Sequence, residues 1–477
     1  MLYFVYDVRG IKKFIFESLE FKAVIGASEL LRKFDEELRE KLKGKVDFYG
    51  GGGTGFGKLK DPSYKNEVES IFKDLVKEKL LGHTVIYDFV DENSFEDKEF
   101  QGKLQSAAKL GNFGKTMSKL FFALNLKKTR FDTYKDSIGI IAQIPKDKLC
   151  PSCMKREKIS DYCEVCSKKI EMGKETKNDS VKFTPNLTDI SECIKGQSKG
   201  YIAVFYADGN SLGDIYLSFD RIEDYEKFTR ELSTAIEDAR VSLPQKVYGG
   251  KECIVASPLT GGDDLMLFVS PSKLIPLIEE FVNFMDKRLE NIGSSRKITF
   301  SIGAVILPAE TPLNLIFEAV EELQDKAKES HQKALEDGTK EEDHYIALRY
   351  LTESSFTPHI EEDYPSAKIV YGKGISYKEF EMVKNIAENY AKAGLKSKIN
   401  TIKDMIRSSD SASELEISTI YFLGRAEGSG GSAGKDSFKE AAEFYKNIIN
   451  KDMFGVFYDI YSVLSNEWEV KKCQNQS

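Results

Sequence analysis

Residues 252–269, Glu252-Cys253-Ile254-Val255-Ala256-Ser257-Pro258-Leu259-Thr260-Gly261-Gly262-Asp263-Asp264-Leu265-Met266-Leu267-Phe268-Val269, decide how the chain is read. An apolar run enters, Gly261-Gly262 makes the bend and a second apolar run leaves, which is the pattern of a β-hairpin. About fifty residues upstream, Tyr201-Ile202-Ala203-Val204-Phe205-Tyr206-Ala207 forms an almost continuous apolar strand of the kind buried on both faces. It ends at Asp208-Gly209-Asn210-Ser211-Leu212-Gly213, a loop rich in turn residues. Neighbouring strands would then carry Asp208 and Asp263 or Asp264 to the same end of one sheet.

Hard divalent cations take several oxygen ligands, and a nucleoside triphosphate supplies those the protein does not. A carboxylate trio at a sheet edge therefore suits a pair of Mg2+ ions, and the glycines beside it let backbone and phosphate approach closely. Taken alone, Gly-Gly-Asp-Asp is equally a tight hairpin with two solvated aspartates. The strand ending in Asp208, the helix after it and the apolar strand after Asp264 favour the metal site.

Downstream, Lys297 to Ile306 reads as a further strand, and Thr311 to about Glu336 as a helix. With helices over Asp220–Leu243 and Ser272–Asn291, the order from Tyr201 is that of the palm of polymerases and nucleotide cyclases. Here the chain resembles a named family, the GGDD-bearing CRISPR polymerase, the large "Cas ten" subunit of type III effector complexes, itself a relative of GGDEF cyclases. The resemblance rests on four motifs in order: Asp208 to Gly213, Gly261 to Asp264, Ser301-Ile302-Gly303 and Ala327-Lys328.

The resemblance implies an α+β fold with two ferredoxin-like palm domains, a zinc ribbon insertion and a helical C-terminal domain. It implies catalysis by Asp208, Asp263 and Asp264 on two Mg2+ or Mn2+ ions, with Gly209, Asn210, Ser211, Gly261, Gly262, Ser301 and Lys328 about the nucleotide. In the family a lysine at the place of Lys328 faces the triphosphate, whereas a helix lysine read without that context is a solvated charge. Asn210 and Ser211 read equally as caps of the helix that follows.

Composition bounds the rest. The chain has 477 residues, 41% of them hydrophobic, enough for substantial cores in two to four domains. Net charge is -8, so contact with nucleic acid must use a local basic face. The opening Met1-Leu2-Tyr3-Phe4-Val5-Tyr6-Asp7 reads as a strand and not a signal peptide, and no apolar run is long enough for a bilayer. A cytoplasmic protein without a membrane partner is expected.

Residues 1–148 repeat the theme faintly. Leu2 to Asp7 is a strand ending in a carboxylate, a helix covers Ser28–Leu42, and Gly50-Gly51-Gly52-Gly53-Thr54-Gly55 stands where the second palm holds its aspartates. Asp7 to Ile15 and Gly26 to Leu31 resemble the non-catalytic first palm of the same family. A glycine run is also compatible with a plain flexible loop.

Cys150-Pro151-Ser152-Cys153 and Cys163-Glu164-Val165-Cys166 form two C-x2-C knuckles, able to give four thiolates to one tetrahedral Zn2+. Four cysteines close the coordination sphere, so the zinc is structural, fastening the connection between the palms. Cys193, Cys253 and Cys473 read as plain thiols, and residues 173–198 as a polar linker. The zinc module and linker are assigned to 149–198, the second palm to 199–345 and the helical domain to 346–477. In that last domain helical periodicity covers Tyr377–Lys392, Lys396–Ser408, Ser411–Leu423 and Ser437–Leu464, with a loop at Glu427–Gly434. A generic helical bundle fits it almost as well.

Many family members carry an HD phosphohydrolase domain before the first palm. The histidines here are His83, His331, His344 and His359, none followed by aspartate, so no HD site is expected, and His344 is expected at the surface. Three functions remain open. The first is a cyclase joining ATP into cyclic oligoadenylate, with CRISPR effector subunits, guide RNA and target RNA as the partners that the resemblance implies. The second is a standalone GGDEF-like cyclic dinucleotide synthase that self-associates, and the third is a nucleotide-binding scaffold of an RNA-guided complex.

Overall fold

The computed structural model of the chain describes residues 1–91, 111–136, 145–175, 182–184, 186–196, 199–250, 254–290, 292, 296–338, 343–352, 369–409, 411–426 and 435–469. Cys253, Cys473, His359 and the expected loop at 427–434 lie outside the described residues. The chain divides into two compact units, the first comprising Met1–Asn186, Ser211–Met266 and Asn283–Ile298, the second Leu187–Asn210, Leu267–Val282 and Thr299–Ser477.

The first unit opens with β1 (Leu2–Val8), α1 (Ile11–Phe16), α2 (Phe21–Leu42), β2 (Val46–Gly51), β3 (Thr54–Leu59), α3 (Lys65–Lys79) and β4 (Val85–Asp91). Strand order is β2-β3-β1-β4, all neighbours antiparallel, the ferredoxin-like arrangement. Because side chains alternate along a strand, β1 serves two cores. Phe4 and Tyr6 pack their rings with Phe34 of α2 and Phe72 of α3. Tyr3 and Val5 join Phe56 and residues of α4 (Asn112–Asp136) in a cluster on the other side. Helix α2 begins seven residues before the expected Ser28, because Phe21, Val24 and Ile25 continue its buried stripe.

After α5 (Glu164–Glu175) the segment expected to be a linker supplies strands instead. β5 (Lys182–Phe183) pairs in parallel with a later strand of the first unit, while β6 (Glu192–Ile194) opens the second unit and pairs with β7 (Gly200–Gly209). Its polarity concealed short pairing segments that the composition alone could not separate from loop.

The first unit resumes with α6 (Leu212–Ser218), α7 (Ile222–Val247), β8 (Ile254–Gly261) and the start of β9 (Asp264–Val269). The second continues with the first part of α8 (Leu274–Leu289), then β10 (Phe300–Pro308), α9 (Leu313–Glu336) and β11 (Tyr345–Tyr350). β9 is common to both, its strand order running β9-β8-β5 in the first unit and, with β12 (Ile375–Ser376), β12-β11-β10-β7-β9 in the second. The second palm therefore repeats the strand order of the first. β10 runs antiparallel to β7 and parallel to β11, so the sheet passes beyond the expected change to helix at residue 346.

His344 precedes β11 and is fully buried, not at the surface: its Nδ1 accepts the Phe300 N–H at 3.1 Å and its ring stacks on Phe300. The charged neighbours that suggested exposure are those of a strand entering a core.

The rest of the second unit is helical: α10 (Tyr377–Lys392), α11 (Lys396–Ser408), α12 (Ala412–Ala426), α13 (Lys435–Phe444) and α14 (Phe454–Ser465), closed by β13 (Trp468–Glu469) on β6. Ser376 and Glu379 form a reciprocal capping box at the start of α10. The single helix expected over Ser437–Leu464 is interrupted by a π-helical turn, Tyr445–Ile449, and by Asp452 at φ 54°. That break lets Phe444 and Phe457 meet with ring centroids 5.0 Å apart. Among the described residues no helix is long and apolar enough to cross a membrane.

Candidate functional site

The Gly261–Asp264 turn lies in the first unit. Gly262 has φ 64°, the left-handed conformation that a two-residue hairpin turn asks of its first central position, and Asp263 follows at the second. Asp263 stands near Tyr216, whose hydroxyl is pushed far up by burial and then by the Asp263 charge. Asp264 opens β9 and lines a cavity of about 1090 Å³, together with Gly261 and Gly262. That volume lies at the top of the ~300–1,000 Å³ typical of small-molecule sites.

The same cavity is bounded by Gly50, Gly51 and Gly52 of the first palm, by α2 and by α7. The two turns approach closely: a methyl group built on Gly261 would stand 3.7 Å from Gly52 Cα. Basic groups at the wall are balanced by acids on their own helices, Arg32 by Glu29 and Glu36, Arg240 by Glu237. Arg240 also lies over the Phe183 ring at 4.6 Å.

In the second unit, Asp208 at the end of β7 is ion-paired with Lys328 of α9. The β7–β10 register sets Ser301 opposite Asp208. Asn210 is buried, donates from its amide nitrogen to Thr299 Oγ1 at 3.0 Å and accepts from Ser301 Oγ at 2.7 Å. The polar atoms of Asn210 and Ser301 thus hold the loop to β10. Gly209 is the last residue of β7. Ser211 occupies the N-cap position of α6 at φ 54° with no side-chain cap hydrogen bond.

The first palm has a parallel set that sequence reading missed. Asp7, at the end of β1 as Asp208 is of β7, pairs with Lys128 of α4 at 3.0 Å, and its other oxygen accepts from Thr54 Oγ1 at 3.0 Å. Lys128 and Lys328 both come from the helix that follows the fourth strand of their palm, so the topology was the signal that would have found Lys128. Gly53 stands where the second palm has Asp263. It has φ 82°, and a Cβ there would meet Ile11 Cδ1 at 2.7 Å, so this bend has no room for a carboxylate.

The four cysteines Cys150, Cys153, Cys163 and Cys166 are buried with their sulfurs within 4.8 Å of one another. Tetrahedral Zn–S bonds of ~2.3 Å set sulfurs about 3.8 Å apart, and Cys153 and Cys163 stand at 3.9 Å. Burial raises the Cys150 thiol but backbone N–H groups of the knuckles pull it down to about 7, while burial pushes the Cys163 and Cys166 thiols up, so their ionisation as ligands would depend on the charge of the bound metal. The donor set fits Zn2+.

The zinc module is fastened to the first palm. Leu19 N–H donates to the Ser152 carbonyl at 2.7 Å, Arg156 clasps Glu17 at 3.1 and 3.2 Å, and buried Lys169 reaches Glu17 and the Phe14 carbonyl. Helices α2 and α5 cross at Gly26 and Gly173, where a Cβ on Gly26 would lie 1.7 Å from the Lys169 oxygen.

Residues 201–335 match the family model for the Cas10/Cmr2 second palm domain. No curated protein matches the chain. Among solved structures, a Csm1-Csm4 cassette in complex with pppApApA is 13% identical with a TM-score of 0.59, covering 97% of this chain and 69% of that one. A Csm1-Csm4 cassette in complex with cA4 is 12% identical, TM-score 0.56, covering 95% and 70%. Csm1 of T. onnurineus is 16% identical, TM-score 0.56, covering 97% and 69%. The second palm thus matches the Cas10/Cmr2 family model, and the fold of the chain is similar to that of Csm1.

Proposed function

We propose that the chain is a nucleotidyl cyclase that joins ATP into cyclic oligoadenylate in a type III CRISPR-like antiviral defence. The observation that carries this reading is the Gly261–Asp264 turn at the edge of the large cavity. The second-palm match and the oligoadenylates bound in the similar structures support it.

The reading assigns Asp208 and Asp263 as ligands of two Mg2+ or Mn2+ ions, with Asp264 as second-site ligand or supporting carboxylate. Hard carboxylate oxygens suit such ions, whereas Asp7, with both oxygens already engaged, does not offer a comparable site. When bound, the ions make a ribose 3′-hydroxyl more acidic and neutralise charge on the donor α-phosphate as pyrophosphate leaves. Lys328 gives a positive charge for the triphosphate once Asp208 has another cation. Gly261 and Gly262 leave room for phosphate beside the backbone. Asn210 and Ser301 keep the loop after Asp208 in register with β10. No protein nucleophile is required. In this reading the protein acts in the cytoplasm with effector subunits, guide RNA and target RNA as partners.

The test is incubation of the purified protein, alone and with candidate effector subunits, guide RNA and target RNA, with each radiolabelled nucleoside triphosphate and Mg2+ or Mn2+, followed by chromatography. Cyclic oligoadenylate from ATP is the expected product. A cyclic dinucleotide would place the chain with standalone GGDEF-like synthases, and binding without product in every mixture would make it a scaffold.

A further inference from the structure

Helix α2 grips the bend of the first palm from one face. Leu31, Asp35 and Arg39 are spaced four residues apart, so their side chains stack along one side of the helix. Arg39 Nη2 donates to the Gly50 carbonyl at 2.8 Å. One oxygen of Asp35 accepts the Gly53 N–H at 3.0 Å and the other accepts the Tyr6 hydroxyl at 2.9 Å. A Cβ on Gly53 would come within 3.2 Å of Leu31 Cδ1.

Asp35 is only 9% exposed, and its burial pushes it up to about 6, against the pull of Gly53, Tyr6 and Arg39. A buried carboxylate is costly where packing alone is needed, and an apolar side chain of similar size would serve that purpose better. What the carboxylate supplies is directional: one oxygen accepts the Gly53 N–H in a left-handed bend while the other is anchored by the Tyr6 hydroxyl. That bend presents Gly52 to the Gly261–Asp264 turn, with a Cβ on Gly52 lying 3.8 Å from Gly262 N.

We propose that Asp35 is a positioning residue of the reaction site: its carboxylate fixes the Gly52-Gly53 bend and, through the close approach of Gly52 to Gly261 and Gly262, fixes where the Asp263–Asp264 turn stands at the cavity. Asp35 acts through the hairpin and takes no part in the chemistry itself. The kinetic part of the test rests on the cyclase reading; the amide part does not.

Asp35→Asn keeps the volume but offers one acceptor oxygen in place of two. The full chain and this variant are compared by hydrogen exchange of the Gly53 amide, by thermal melting, and by ATP kinetics with Mg2+ and the effector components that activate the wild type. Expected are Gly53 exchange at least tenfold faster, a melting temperature no lower than that of the wild type, and kcat lowered about tenfold or more with KM for ATP within threefold. Asp35→Ala, which removes both acceptors, should exchange at least as fast as Asp35→Asn. Wild-type exchange at Gly53 in Asp35→Asn overturns the proposal, and so does a fall in kcat with exchange unchanged. Faster exchange with wild-type kcat overturns the link between the two turns. If the wild type makes no product at all, the cyclase reading fails by itself, and the exchange of Gly53 alone decides whether Asp35 holds the bend.

Discussion

What Lys328 can do depends on the carboxylate it faces. Sequence order places it on the helix after the fourth palm strand, and the structure pairs it with Asp208. An ammonium on that carboxylate balances a charge that would otherwise repel triphosphate. Lys328→Ala should therefore reduce kcat/KM for ATP on the order of 10²-fold, the size of loss seen when one charge-stabilising donor is removed from a site. Zinc content and circular dichroism should not change, and a variant with wild-type kinetics would remove Lys328 from the site. Asp263→Ala with Asp264→Ala should abolish product formation with secondary structure intact, because Gly262 and not the acidic side chains sets the bend. Radiochromatography checks this directly. The knuckle cysteines were legible in the sequence because their chemistry depends on residue type and short spacing. Asp35, Thr54 and Lys128 were not, since each acquires meaning only from a partner at least eighteen positions away: Gly53, Asp7 and Asp7.

At the scale of elements, the two hairpins share a strand order but not a turn. Gly52 and Gly53 both have positive φ in the first palm, whereas only Gly262 does in the second. A turn with two left-handed residues favours glycine, and a side chain at Gly53 would also crowd Ile11, Leu31 and Val8, so this bend suits glycine where the second palm has Asp263. The apolar strands and amphipathic helices were readable because their periodicity is local. The strands β5 and β6 were not, because two or three residues carry no period, and the break at Asp452 goes with ring packing between Phe444 and Phe457, which no local pattern records. The α2–α5 crossing is a similar case. Gly26→Ala would drive a methyl into the Lys169 carbonyl, and the helices would have to separate. Overpacking of this kind costs about 1–3 kcal/mol, so a lower urea midpoint is expected. The zinc module should respond in the same direction: atomic absorption should find one zinc per chain, and Cys163→Ser with Cys166→Ser should lose it and lower the melting temperature, since binding energy in a structural site is folding energy.

Across the whole molecule, pH should act through two buried aspartates, one in each unit. Asp35 and Asp459 are both pushed by burial from an ordinary value of 3.8 to about 6. A carboxyl raised on folding binds its proton more tightly in the native state, so its stabilising contribution is complete below about pH 4 and is lost as pH rises through about 6. A shift of about two units corresponds to roughly 3 kcal/mol for each group. The neighbours of the two carboxylates make their substitutions diverge. Asp35 faces the neutral Tyr6 hydroxyl and the Gly53 N–H, with Arg39 farther along the helix, so Asp35→Asn at pH 7.5 removes a desolvated charge and should leave the urea midpoint of its unit equal to or above that of the wild type. Asp459 holds Arg349 Nη1 at 3.2 and 3.3 Å, and the Arg349 side chain is only 4% exposed. Asp459→Asn strips a guanidinium that cannot discharge of its carboxylate in a dry setting, a loss of about 3–5 kcal/mol. Urea denaturation of both variants at pH 5 and pH 7.5 separates the cases. The advantage of Asp35→Asn over the wild type should shrink at pH 5, where the wild-type carboxyl is largely protonated, and the deficit of Asp459→Asn should shrink there too, because the wild-type Asp459 carboxyl is then also largely neutral. Equal midpoints for all three proteins at pH 7.5 would mean that neither carboxylate is held ionised in the folded core.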